Sequence, residues 1–103
     1  DLQDISALIQ GSELKIMGLS PNPTRDKATL QYYLPEQSPE VYALIYDMQG
    51  RLVDAKGGFS TDKGVSQQEL SLERLTPGTY ILVLKAQTLD GMRYADQIKL
   101  IKH

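Results

Sequence analysis

The chain has no cysteine and no tryptophan, and its only histidine is the last of 103 residues, His103. Without cysteine there is neither a disulfide framework nor a thiolate nucleophile, and the redox compartment stays open. Without an interior histidine, the usual serine–histidine or cysteine–histidine pairs cannot be assembled. A terminus normally frays, so His103 is a poor place for a general base. The carboxylates show no D-x-D or E-x-x-E concentration. The expectation is a protein that is not an enzyme and that holds no cofactor or metal. No apolar run approaches the roughly 18 residues of a spanning helix, and the first residues lack the pattern of a signal peptide. A net charge of −2 offers no attraction to nucleic acid or to an anionic membrane surface. Neither nucleic-acid binding nor direct membrane insertion is therefore expected.

What the chain does have is alternation. Lys27–Leu34 reads KATLQYYL, with Ala28, Leu30, Tyr32 and Leu34 at every second place, which is one face of a half-buried strand. Glu40–Asp47 (EVYALIYD) and Thr79–Lys85 (TYILVLK) are rich in β-branched and aromatic residues. Met92–Lys102 alternates late, and Leu14–Met17, Arg51–Ala55 and Val65–Leu72 are weaker candidates. Turn chemistry separates them. Pro21-Asn22-Pro23 cannot donate to a ladder at either proline. Asp47-Met48-Gln49-Gly50 suits a type I turn with glycine in the left-handed position, Pro77-Gly78 a tight turn, and Asp90-Gly91 a two-residue hairpin. About seven short strands with turns between them predict an all-β, Ig-like antiparallel β-sandwich over residues 14–103. Residues 1–13 read as a linker or N-terminal extension, in which Leu2–Ile9 could form a turn or two of helix or an edge strand.

The alternation also assigns faces. Tyr80, Leu82 and Leu84 form the core set of their strand. Tyr80 follows a Pro-Gly turn, where a buried ring with its hydroxyl tied to nearby backbone is a recurrent sandwich device. Val41, Ala43 and Ile45 point inward, and Leu70, Leu72, Leu75, Ile98 and Leu100 complete the core. Tyr42, Leu44, Tyr46, Ile81 and Val83 are then left on an outer face. Such faces are normally polar, so these five residues mark a candidate interaction face for another protein, the preceding domain or a second copy. A bulge turning some of them inward is the competing reading.

Four features in this order resemble the type A C-terminal sorting domain of the type IX secretion system, the Por system of Bacteroidetes. They are Pro21-Asn22-Pro23-Thr24, then Asp47-Met48-Gln49-Gly50-Arg51, then Leu75-Thr76-Pro77-Gly78-Thr79-Tyr80, and last a short basic terminal strand. The resemblance runs from about Leu14 to Lys102. It implies a seven-stranded Ig-like domain that acts as a secretion address. Its implied partners are the outer-membrane translocon, a shuttle protein and a sortase-like peptidase. Its implied location is the periplasm in transit, then the outer-membrane surface or the medium. Carried over by position, the sorting motif comprises Pro21, Asn22, Pro23, Asp47, Gly50, Arg51, Gly78, Tyr80, Ile98, Lys99, Leu100, Ile101 and Lys102. Two departures stand out. Asp96-Gln97 replaces the paired lysines frequent before the last apolar residues, and Gly18-Leu19-Ser20 precedes the PNP turn in place of a shorter apolar-aromatic pair.

Other readings compete with this one. A carbohydrate- or ligand-binding Ig-like module would use an aromatic platform from Tyr33, Tyr42 and Tyr46. A structural spacer or adhesion domain would need no site. A calcium site at Asp26 or Asp47 would need more clustered oxygens than the sequence offers. For the sorting reading, an exposed strand edge is one plausible mode of recognition, since an edge can pair with a partner's strand.

Overall fold

A computed structural model describes residues 13–103. The extension and its Leu2–Ile9 segment lie outside the described residues, apart from Glu13. The strands are β1 (Lys15–Ser20), β2 (Lys27–Leu34), β3 (Glu40–Asp47), β4 (Leu52–Lys56), β5 (Gly64–Ser71), β6 (Gly78–Gln87) and β7 (Arg93–Lys102). No helix occurs among the described residues. One sheet has the order β1-β2-β5 and the other β4-β3-β6-β7. Strand pairing within both sheets is antiparallel throughout. This is the all-β, Ig-like sandwich that the alternation predicts, with β3 and β6 side by side.

The core follows from side-chain parity. Ala28, Leu30, Tyr32 and Leu34 of β2 face Val41, Ala43 and Ile45 of β3 and Tyr80, Leu82, Leu84 and Ala86 of β6 across the interior, all of them buried. Leu70, Leu72, Leu75 and Leu100 join them, with Ile98 packed at the margin. Each large aliphatic buried this way contributes about 1.5–3 kcal/mol. Phe59, the chain's one phenylalanine, is also buried, and its ring lies 5.9 Å from that of Tyr32. The Tyr32 hydroxyl donates to the Ser60 carbonyl at 2.8 Å, and burial pushes its phenol above the ordinary value, so it stays a donor. Tyr80 makes the anticipated tie, its hydroxyl donating to the Thr76 carbonyl four residues upstream.

Two edge strands, β1 and β4, carry bulges that the alternation did not reveal. In β1, Ile16 pairs with Tyr32 and Gly18 with Gln31, which leaves Met17 as an extra residue. The extra residue restores the parity of Leu19, which is buried, and the strand runs on to Ser20. In β4, Ile45 pairs with Asp54 and Tyr46 with Leu52, so Val53 bulges. Asp90-Gly91 does not form a two-residue hairpin. Thr88 N–H donates to Met92 C=O and Gly91 N–H to Thr88 C=O, enclosing the three residues Leu89, Asp90 and Gly91. Asp47 and Arg51 close the same three-residue turn, with Gly50 N–H donating to Asp47 C=O. Gly50 and Gly91 sit at φ of 85° and 89°, which a side chain would strain.

Truncating a core residue separates the two faces experimentally. Leu82→Ala should cost about 2–5 kcal/mol in urea denaturation. Val65→Ala, on the water-facing side of β5, should stay within about 0.5 kcal/mol. Comparable losses at both positions would overturn the assigned parity.

Candidate functional site

The PNP turn and the terminal strand form one structure. The Asn22 side chain donates from Nδ2 to the Lys99 carbonyl at 2.7 Å and accepts the Ile101 N–H on Oδ1 at 3.0 Å. One amide thus meets a carbonyl and an N–H of β7 as a neighbouring strand would. Two residues on, Thr24 N–H donates to Ile101 C=O at 2.9 Å, and His103 N–H donates to Thr24 C=O at 2.8 Å. Thr24 and Lys102 form an isolated parallel bridge. The Thr24 hydroxyl, buried, donates to the Lys27 carbonyl at 2.7 Å and fixes the loop against the start of β2. The backbone of His103 is therefore tied down, where the sequence reading has it fraying. The two flanking prolines are exposed.

The clasp sorts the terminal residues by face. Leu100 and Lys102 are buried on the inner side, with Ile98 half-buried there, so the aliphatic stem of Lys102 belongs to the interior. Lys99 and Ile101 point outward, the first exposed and the second half-exposed.

The other two motifs lie on the same transverse row. Asp47 pairs with Tyr80 and Tyr80 with Leu100, while Gly78 pairs with Lys102. Strand spacing near 4.8 Å puts the Asp47 turn and the Asn22 clasp about 15 Å apart across β3, β6 and β7. All four motifs thus gather at one end of the four-stranded sheet. Asp47, Arg51, Thr76, Gly78 and Tyr80 line a shallow depression of about 440 Å³ there. Asp47 organises its own turn. Its Oδ1 accepts Gln49 N–H at 3.0 Å and Arg51 N–H at 2.9 Å, and its Oδ2 accepts Arg51 Nε–H at 2.8 Å. The Arg51 N–H foremost, and then the Arg51 side chain, hold this carboxyl below the ordinary range. The Arg51 side chain is largely in water, so the ion pair itself adds little.

Asp96 is the residue whose role sequence reasoning misses. Its Oδ2 accepts Ile16 N–H of β1 at 2.8 Å, and its Oδ1 accepts Gln97 N–H at 2.9 Å. A lysine here could accept neither. Between Asp96 and the clasp, much of the free edge of β7 is engaged, which counts against strand addition along β7 as the mode of recognition. The only signal in the sequence was its departure from the resembling pattern.

The outer-face residues are where parity puts them. β3 and β6 pair over eight consecutive positions without a break, so no bulge turns Tyr42, Leu44, Tyr46, Ile81 or Val83 inward. All five are half-exposed. Tyr33 pairs with Lys15 and Val65 on the outside of the other sheet. The three-tyrosine platform of the carbohydrate reading is therefore not assembled, because Tyr33 stands on the opposite side of the sandwich from Tyr42 and Tyr46.

Removing the Asn22 amide should release the end of β7. Asn22→Ala is expected to cost about 1–3 kcal/mol and to raise amide exchange at Ile101 far more than at Leu82. Unchanged protection at Ile101 would refute the clasp. A second expectation concerns pH. Because the Asp47 carboxyl is held below its ordinary value, its contribution is complete above about pH 4 and is lost as pH falls through the depressed value. Asp47→Asn should melt below the unsubstituted domain at pH 7, with the gap closing toward pH 2. A gap that persists at pH 2 would assign the effect to something other than the charge.

Comparison with protein families supplies the context. A family model described as a secretion system C-terminal sorting domain matches residues 19–93. The match takes in the PNP, Asp47–Arg51 and Gly78–Tyr80 features and stops where β7 begins. No curated protein matches the chain. The family is one of sorting signals rather than enzymes, and its signal implies contact with secretion machinery and export to the cell surface or beyond it. The chain belongs to the family of secretion system C-terminal sorting domains, the address used in type IX secretion.

Proposed function

We propose that the motif-bearing end of the sandwich is the part of the address that the export apparatus reads. In this reading the domain crosses the periplasm folded. The outer-membrane translocon and its shuttle protein recognise Pro21, Asn22 and Pro23, the Asp47–Gly50–Arg51 turn, the Gly78–Tyr80 turn, and the outward side chains of Lys99 and Ile101. Ile98, Leu100 and Lys102 act from inside by anchoring the strand that carries those two. Cargo then reaches the outer-membrane surface or the medium, and a sortase-like peptidase acts on the exported protein. The domain itself performs no chemistry.

The observation that carries this reading is the clasp. Four hydrogen bonds hold the PNP loop to residues 99–103. A tail read as a loose peptide has no need of such a seam. A rigid end presents its groups already ordered, so docking loses less conformational entropy.

The test is export of a reporter fused to this chain in a type IX-competent bacterium. Deleting residues 98–103 should abolish export, though it also removes core. The sharper variant is Lys99→Ala with Ile101→Ser, which alters only outward side chains. It should keep the denaturation midpoint and lower export roughly tenfold. Full export of this folded double variant would defeat the proposal.

A further inference from the structure

The two sheets differ on their water-facing sides. On the three-stranded sheet the central rows are polar, with Gln31 beside Gln67 and Thr29 beside Glu69. On the four-stranded sheet the rows are apolar across three strands. Leu52, Tyr46 and Ile81 form one row, ending at Lys99. Ala55, Leu44 and Val83 form the next, ending at Gln97. Tyr42 follows, beside Lys85. The first two of these rows span three neighbouring strands, so the patch is continuous, and Leu52 is 55% exposed at its margin. Apolar surface of this continuity on a water-facing sheet is the mark of a covered face.

The charges at its border say what kind of surface covers it. The outward positions of β3, β4, β6 and β7 carry three cations, Lys85, Arg93 and Lys99, against one carboxylate, Glu40. The chain as a whole carries −2. The face is thus locally positive on a net acidic molecule. Two copies meeting through it would bring six cations together against two carboxylates, which works against self-association. A partner with an apolar centre bordered by Asp or Glu meets both the patch and its rim.

We infer that the outer face of the β4-β3-β6-β7 sheet docks a separate protein of that chemistry, through Tyr42, Leu44, Tyr46, Ile81 and Val83 at the centre and Lys85, Arg93 and Lys99 at the border. This rests on the sorting reading above, which places that protein in the export apparatus, and it extends the contact surface from the motif-bearing end, with which it shares Lys99, across the sheet.

Two variants test it in the reporter-export assay, with sedimentation of the isolated domain as a companion measurement. Tyr42→Asp with Ile81→Asp should leave the domain folded and monomeric and cut export about tenfold or more. Lys85→Glu with Arg93→Glu leaves the apolar centre whole and should slow export, an effect that grows as ionic strength falls. If the first pair fails to fold, the charge reversal decides. Full export of both variants overturns the inference while leaving the sorting reading intact. Failure of the unsubstituted fusion to be exported defeats the sorting reading, and this inference with it. An unsubstituted domain that sediments as a dimer, with the dimer abolished by the Tyr42 and Ile81 changes, makes a second copy the occupant and also overturns it.

Discussion

The arrangement of this domain depends on the seam between the Asn22–Thr24 loop and the final strand. β7 has β6 on one side only. Its other side would be a row of unsatisfied backbone groups. Asn22 supplies a side-chain amide in place of a strand, and Thr24 supplies backbone groups to Ile101 and His103. Once the strand is held, its parity has consequences. Leu100 and the Lys102 stem close the core, and Lys99 and Ile101 stand in water. The same seam draws the PNP turn onto the row that carries Asp47 and Tyr80.

Edge control extends beyond that seam. Asp96 ties β7 to β1 by accepting the Ile16 N–H, and β1 carries its own bulge at Met17. At the far side of the four-stranded sheet, β4 bulges at Val53 and turns Asp54 and Lys56 toward the interior side, 3.2 Å apart. Bulges and inward charges both discourage a second chain from pairing with an edge. They leave fewer backbone groups free along both edges of that sheet.

Much of the fold was legible because a strand writes its burial into every second residue. Lys27–Leu34 and Glu40–Asp47 are central strands with one face sealed, and their limits emerge as the alternation has them. The edge strands were less legible. β1 and β4 each contain an extra residue that breaks the period, and half of β4 faces solvent. The three-residue turn at Leu89-Asp90-Gly91 is ambiguous in the sequence because Asp-Gly serves both turn types, and only the pairing of Thr88 with Met92 separates them. Phe59 is not legible because it lies in a loop with no period to reveal its face. The clasp was the least legible feature. Its partners are 77 and 79 residues apart, and an asparagine standing in for a strand has no local pattern. The one hint was the chain's only asparagine, held between two prolines.

That long separation gives the domain a temporal property. A ribosome delivers Asn22 long before Lys99 and Ile101, so the loop has no partner until β7 has been made. A product truncated before Lys99 has every upstream turn motif but cannot assemble the seam. The architecture therefore closes the seam only in molecules whose synthesis has passed through β7, whatever the state of the upstream turns.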